Sequence, residues 1–509
     1  MKILLTTLNS KYVHSNLALK YLYSVAVGSG LDITLREFTI NNEMGYIYGE
    51  ILRGGYDLVC FSTYIWNVEQ ICRLGKTLKQ ANPSMKIMLG GPEVSYEAAE
   101  FMEENPWADY ILRGEGELGF FRFCKELVLG GRILSGLNPE KVCGLSYRRD
   151  REILETADGA ALSMENLPFP YQLLEPEADK VVYYESARGC PYRCSYCLSS
   201  LEKNIRALPL ERTFAELDYF LSKKVKQVKF IDRTFNWDRN RAREIWAHLM
   251  EHDNGTTNFH FEICAELLGE EDFELLGRAR DGLFQFEIGI QTANERTLEA
   301  INRNSNIPEL LSNVEQLIGL GNSHIHVDLI AGLPYEGYNS FGHSFNGVYA
   351  LGADNLQLGF LKLLKGTKAR RQAEEYGYVY RSEAPYEVIS NDFISAGELV
   401  RLKMIEHVLD LYANKGGFTQ SLRYLCEASS ATAFRFYEKL SAFFYEEGYQ
   451  HRSHKKEDLY RILYRFALSL EEDFPGISEK TKVLLSADLE ATMNFDAVKK
   501  FHKKGWEIQ

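Results

Sequence analysis

Apolar and polar positions alternate in two rhythms over the first 130 residues. The short apolar runs Lys2–Thr7, Ile33–Phe38, Asp57–Ser62, Lys86–Leu89 and Tyr110–Leu112 read as strands. Stretches between them, such as Leu17–Val27 and Val68–Gln80, repeat at helical spacing. This alternation predicts a doubly wound α/β domain of Rossmann or flavodoxin type over residues 1–130, a parallel sheet with helices on both faces. Ligands of such sheets sit beyond the carboxyl ends of the strands. Those ends carry Asn9-Ser10-Lys11-Tyr12, Ser62-Thr63-Tyr64-Ile65-Trp66, Gly90-Gly91-Pro92-Glu93 and Arg113-Gly114-Glu115-Gly116-Glu117.

Residues 131–180 hold Pro139, Pro168, Pro170 and Pro176 and little sustained periodicity, so they read as a connector. A second series of strands follows at Val181–Ser186, Val228–Ile231, Phe259–Cys264, Phe284–Ile290, His324–Ile330 and Asn355–Leu361. The spacing leaves room for one helix after each strand. That pattern suits a partial (β/α)6 barrel of TIM type over residues 181–372. Asp232, Glu262, Glu287, Gln291 and Asp328 are expected at strand ends, the rim where such barrels do chemistry. Past residue 373 strand signals fade. Glu398–Tyr412, Ala431–Glu447 and Glu457–Glu471 predict a helical C-terminal domain over 373–509. The aromatic stripe of Tyr424, Phe434, Phe436, Phe443, Phe444 and Tyr445 reads as a core face.

A length of 509 residues suits several domains. The formal net charge of -13 disfavours nonspecific binding to nucleic acid. The basic run Lys499, Lys500, Lys503 and Lys504 reads as a solvated helix face. No apolar run reaches the length of a membrane span, and the start Met1-Lys2-Ile3-Leu4-Leu5 reads as a buried strand. A cytoplasmic location is expected, where nine cysteines are thiols or metal ligands rather than disulfides.

Three of those cysteines carry the strongest chemical signal. Cys190, Cys194 and Cys197 follow a strand in Glu185-Ser-Ala-Arg-Gly-Cys190-Pro-Tyr-Arg-Cys194-Ser-Tyr-Cys197. Three closely spaced thiolates can wrap one face of a 4Fe-4S cluster and leave one iron open. A structural zinc site is the alternative, but it normally wants four closed ligands, and no fourth lies near in sequence. Cys264, at the end of a later strand, is a residue that could approach.

The spacing Cys190-x3-Cys194-x2-Cys197, with Tyr196 before the last cysteine, resembles the radical S-adenosylmethionine superfamily. Phe230-Ile-Asp-Arg-Thr-Phe235, Phe286-Glu-Ile-Gly-Ile-Gln291, Asp328-Leu-Ile-Ala-Gly-Leu-Pro334 and Leu364-Lys-Gly-Thr367 extend the likeness over about residues 181–370. The resemblance implies that S-adenosylmethionine chelates the open iron and is cleaved to a 5′-deoxyadenosyl radical. It also suggests roles toward that cofactor. Asp232 and nearby backbone would accept from its amine, Glu262 would bind ribose, Gln291 would orient ribose or carboxylate, and Arg303 would pair with the carboxylate.

The doubly wound domain ahead of the barrel resembles the cobalamin-binding branch of the superfamily. Asn9, Tyr12, Ser62, Tyr64, Gly90, Gly91, Gly114 and Glu115 are the residues this likeness would place around cobalamin. The motif Asp-x-His-x-x-Gly, whose histidine ligates cobalt in many such domains, is absent. His14, the one histidine in residues 1–150, reads as a polar loop residue. The likeness implies a radical enzyme with two organic cofactors and a cluster, acting on a small-molecule or peptide substrate, most commonly by methylation. It implies an electron donor of flavodoxin or ferredoxin type. A cobalamin-independent radical enzyme performing sulfur insertion, oxidation or rearrangement is one alternative. A non-catalytic metal-binding protein is another.

Overall fold

The computed structural model describes residues 1–202, 204–430 and 432–506. Two compact units make up the chain. The first comprises 1–285, 362–372 and 381–387, and the second 286–361, 373–380 and 388–509.

The first unit opens with strands β1 (Lys2–Asn9), β2 (Asp32–Thr39), β3 (Leu58–Ser62), β4 (Lys86–Gly90) and β5 (Tyr110–Leu112). They lie in the order β2-β1-β3-β4-β5, all parallel. Successive side chains point to opposite faces, and each face has its own core. Leu4, Leu8, Val59, Phe61, Ile87 and Leu89 pack on one side with Ile47, Ile51, Ile71 and Leu74 from the helices Met44–Gly54 and Val68–Ala81. Ile3, Leu5, Leu58, Cys60 and Met88 pack on the other with Leu19, Phe120 and Phe123 from Leu17–Ala26 and Gly116–Leu129. This is the doubly wound sheet that the alternation predicts.

The expected connector is partly sheet. Its strands β6 (Leu145–Arg149) and β7 (Glu152–Glu155) extend the sheet antiparallel beyond β5. Both are short, and the hairpin turns on Asp150 at φ 55°. Residues 131–144 and 156–180, on either side of that hairpin, hold no strand.

Still in the first unit, β8 (Val182–Tyr184) leads to a small hairpin of β9 (Ala187–Arg188) and β10 (Arg206–Ala207). β11 (Gln227–Phe230) pairs in parallel with β8 and with β12 (Asn258–Ile263). β13 (Phe284–Gln291) starts in the first unit and enters the second.

In the second unit β14 (His324–Ala331) pairs in parallel with β15 (Asn355–Phe360). β13 and β14 each alternate fully buried with half-buried residues. On β14 the half-buried face holds His326 and Asp328, with His326 Nε2 3.0 Å from Asp328 Oδ1. Glu287 and Asp328 thus lie within their strands, not at the ends. The C-terminal part is helical, as expected, with Ala396–Leu409, Ala433–Glu446 and Lys456–Ser469 joined by Thr419–Ser429, Ile477–Thr492 and Phe495–Lys504. Phe434, Phe436 and Phe444 are buried and form a core face of one helix, with Phe443 and Tyr445 half-buried on it, whereas Tyr424 is half-buried on the separate helix Thr419–Ser429. Lys499, Lys500, Lys503 and Lys504 lie exposed on the last helix. Among the described residues no helix is long and apolar enough to cross a membrane.

Candidate functional site

All three clustered cysteines lie on the loop closed by β9 and β10. Its base is a ladder of two pairs, Ala187 with Ala207 and Arg188 with Arg206. Gly189 follows at φ +95°, where a side chain is disfavoured. A Cβ there would lie 2.5 Å from the Asn204 carbonyl oxygen, so glycine lets the two loop ends pass. Inside the loop Cys197 N–H donates to the Cys194 carbonyl (3.2 Å), and Arg193 donates to the Cys190 carbonyl (2.6 Å). Cys190 and Cys194 are buried, Cys197 is half-buried, and all three are free thiols. Thr234 Oγ1 sits 3.5 Å from the Cys190 sulfur. Cys264 approaches the loop at Tyr192, whose hydroxyl lies 2.9 Å from its sulfur. Three thiols on one tight loop match the donor set of an iron–sulfur cluster.

Asp232 follows β11 and faces inward. It is 2% exposed, and its oxygens accept from Ser186 N (2.8 Å) and Ser186 Oγ (2.6 Å). Burial pushes its carboxyl up to about 6, against the pull of those hydrogen bonds and of Arg241. These bonds make Asp232 a brace for the chain leaving β8. Glu262 is half-buried on β12.

In the second unit Gln291 and Arg303 converge on Gly289. Gln291 ends β13 at φ 72° and is buried. A Cβ on Gly289 would overlap the Gln291 amide. Arg303 Nη2 donates to the Gly289 carbonyl at 2.6 Å.

The first unit also contains a cavity of about 380 Å³ at the carboxyl ends of β3, β4 and β5. Six of the eight residues expected around cobalamin line it: Ser62, Tyr64, Gly90, Gly91, Gly114 and Glu115. Leu19, Leu22, Met88 and Leu112 give it apolar walls, and Leu198, Ser199 and Glu202 of the cysteine loop also face it. Gly91 stands at φ +104°, and a Cβ would lie 2.5 Å from the Thr63 carbonyl oxygen. Gly114, at φ +70°, would meet nothing within 4 Å, so backbone borders open space there. Glycine backbone at the rim and apolar walls fit a broad, flat organic ligand.

Two expected residues lie elsewhere. Tyr12 is 60% exposed and donates to Asp179 Oδ2 at 2.7 Å. Asn9 lines an adjoining cavity of about 340 Å³, and its amide is spent on the His14 carbonyl (3.0 Å) and Glu37 (2.5 Å). His14 pairs with the Tyr183 hydroxyl at 2.7 Å, and burial lowers its pKa. It is the polar loop residue expected.

Sequence reasoning missed an ion network beside the cavity. The Arg188 guanidinium spends each nitrogen on a different carboxylate: Nε on Glu185 (2.9 Å), Nη1 on Glu115 (3.1 Å) and Nη2 on Glu117 (2.6 Å). Arg206 also pairs with Glu115. Burial pushes Glu185 up to about 7, although Arg188 opposes that shift. The only sequence signal was charge, in Arg188 before the first cysteine, in Glu115 between two glycines and in Glu117 after the second. Their separation in sequence hid the pairing.

Comparison with known proteins finds a B12 binding domain at residues 3–122 and a domain of the radical SAM superfamily at 184–346. The chain carries a B12 binding domain and a radical SAM domain. Residues 374–507 match a family described as a protein of unknown function (DUF4080). A similar curated protein is the cobalamin-dependent radical SAM methyltransferase TokK of Streptomyces tokunonensis, 27% identical over 56% of this chain and 44% of that one. An uncharacterized methyltransferase of Pyrococcus horikoshii is 28% identical over 45% of this chain and 50% of its own. The chain therefore spans about half the length of the curated relatives it matches. Among solved structures, the cobalamin-dependent S-adenosylmethionine radical enzyme OxsB aligns with a TM-score of 0.65 at 14% identity, covering 100% of this chain and 84% of that one. At that identity the likeness shows the fold: a Rossmann-type domain, a radical SAM domain and a helical C-terminal region.

Proposed function

We propose that this chain holds a 4Fe-4S cluster on Cys190, Cys194 and Cys197, binds S-adenosylmethionine and cobalamin, and methylates its substrate. One observation carries the reading: a single cavity is lined both by the glycine rim of the N-terminal sheet and by the loop that bears the three cysteines. The bound groups would supply a reducing electron, a source of carbon-centred radical and a methyl carrier. The chain's own part is to hold and orient them. The cysteines would fix the cluster, with Gly189 and the Cys194–Cys197 turn setting the loop's shape. Gly90, Gly91 and Gly114 would let backbone approach a flat macrocycle. Leu19, Leu22, Met88 and Leu112 would keep water from its apolar parts. Glu262 is the side chain proposed for ribose hydroxyls. A one-electron donor of flavodoxin or ferredoxin type completes the proposal. The relatives named methyltransferases support methylation over the other radical outcomes.

The test is anaerobic reconstitution of the full chain with iron, sulfide and hydroxocobalamin. Iron, sulfide and corrin are assayed on the desalted protein. Reductant and S-adenosylmethionine are then added, and 5′-deoxyadenosine and S-adenosylhomocysteine are measured. Cluster with corrin and both products supports the reading. Cluster without corrin would replace it with the cobalamin-independent one, and zinc without sulfide would remove both.

A further inference from the structure

We propose that Glu115 is a positioning residue that ties the cofactor cavity to the cysteine loop, so that filling the cavity stiffens the loop. The inference rests on the cofactor reading above and concerns how its two sites communicate.

The cysteine loop runs between the two strands of a minimal hairpin. Its base is a ladder of only two residue pairs, and short isolated ladders are marginal in water. Both arginines of the ladder, Arg188 and its direct cross-strand partner Arg206, reach the same carboxylate. Arg188 Nη1 lies 3.1 Å from Glu115 Oε2, and Arg206 Nη1 donates to that oxygen at 3.2 Å while its other nitrogen takes Oε1. Glu115 stands between Gly114 and Gly116, and all three line the cavity. It precedes the helix Gly116–Leu129, whose first turn supplies Glu117 to the same Arg188. Arg206 is held from a further side by the Leu162 carbonyl at 2.6 Å.

An ordinary exposed ion pair would contribute little. This one differs in two respects. The Arg188 side chain is 10% exposed, so solvent screens it weakly. Its three nitrogens are also each spent on separate carboxylates, which fixes the plane of the guanidinium. A ligand seated against Gly114 and Gly116 would restrict the backbone on both sides of Glu115. That restriction passes through one carboxylate to both strands of the hairpin base. Coupling of this kind is reciprocal, so a formed cluster would favour ligand binding by the same factor.

The experiment is hydrogen–deuterium exchange on the full-length protein after anaerobic cluster reconstitution, read on peptides spanning 187–207. Wild type, Glu115→Gln and Arg206→Gln are compared with and without hydroxocobalamin. In wild type, hydroxocobalamin is expected to slow exchange there about fivefold, the lower end of usual coupling. Arg206→Gln, which lies outside the cavity lining, is expected to bind hydroxocobalamin, melt near wild type and show no slowing; Glu115→Gln is expected to show none at its own saturating hydroxocobalamin, and where it does not bind, Arg206→Gln decides. Slowing in Glu115→Gln equal to wild type overturns the proposal. If wild type takes up no hydroxocobalamin, the cofactor reading fails, and the joint is then read from the rate at which a chelator strips iron. Faster loss from both variants supports the joint, and equal rates overturn it. Should Glu115→Gln not fold, Arg206→Gln decides alone.

Discussion

A single missing atom shapes the rim of the cavity. At Gly91 a methyl would meet both a left-handed backbone and the Thr63 carbonyl oxygen at 2.5 Å. Gly91→Ala is therefore expected to cost about 1–3 kcal/mol in stability and to abolish corrin uptake while leaving the iron content intact. Thermal melts and parallel iron and corrin assays check this. Glu336 is an opposite case, a charge with nowhere to go. It is 1% exposed, Oε1 accepts from Thr292 and Ser344, and Oε2 is buried without a partner. Burial pushes its carboxyl from 4.5 to about 7, with those two hydrogen bonds opposing. Folding therefore favours the protonated form. The resulting stability is full below 4.5 and is lost as pH rises through about 7. The gap corresponds to about 3 kcal/mol. Glu336→Gln keeps an acceptor for Thr292 and Ser344 but cannot ionise. It is expected to lose less melting temperature than wild type between pH 5 and pH 8. Asp232 and Glu185 titrate in the same direction, so the difference between variant and wild type is the quantity to measure.

The cysteine hairpin shows where sequence stops being legible at the scale of an element. Its cysteines, its glycine and its place after a strand were all readable, because loop chemistry at fixed offsets is local. The partner of its base was not. Glu115 lies far from Arg188 in sequence, and no local pattern links two charges across that distance. The connector was misread for a related reason: β6 and β7 run only five and four residues and include Arg148, Arg149, Glu152 and Glu155, so their apolar alternation is too brief to register. Tyr12 and Tyr64 both follow strand ends, yet one donates to exposed Asp179 and the other lines the cavity. The strand-end rule names a rim without saying which rim residues turn inward. Gly189 offers a test of the element itself. Gly189→Ala would press a methyl against the Asn204 carbonyl at φ +95°. The hairpin base is expected to open, so that reconstituted iron and sulfide fall severalfold while circular dichroism stays unchanged. Full cluster content in that variant would show that the cysteines do not need this closure.

At the scale of the whole molecule, the strand series and the change to helix past residue 373 were plain, because each long apolar rhythm spans many residues. The unit boundary was not, since it depends on which surfaces meet. The helical C-terminal region shares its unit with β13 to β15 instead of standing apart. Phe434 explains why. Its ring is 3% exposed and packs against Tyr338 and Phe345 of the helix Tyr338–Tyr349, with centroids 5.2 and 5.6 Å away. Gly342 makes room for it, since a Cβ there would lie 2.7 Å from the ring. Polar groups reinforce the contact: Phe434 N–H donates to Asn346 Oδ1 at 2.8 Å, and Tyr338 donates to Glu438 at 2.7 Å. A chain ended at residue 373 would leave Tyr338, Phe341 and Phe345 facing water, so it is expected to be insoluble. Phe434→Ala leaves a cavity at this contact and is expected to cost about 3–5 kcal/mol. In calorimetry of the full chain, that loss should lower the melting of the helical region and of the β13–β15 region together, because the ring belongs to both. A variant that lowered one transition and left a second in place, beside a soluble 1–373 fragment, would show instead that the helical region folds by itself.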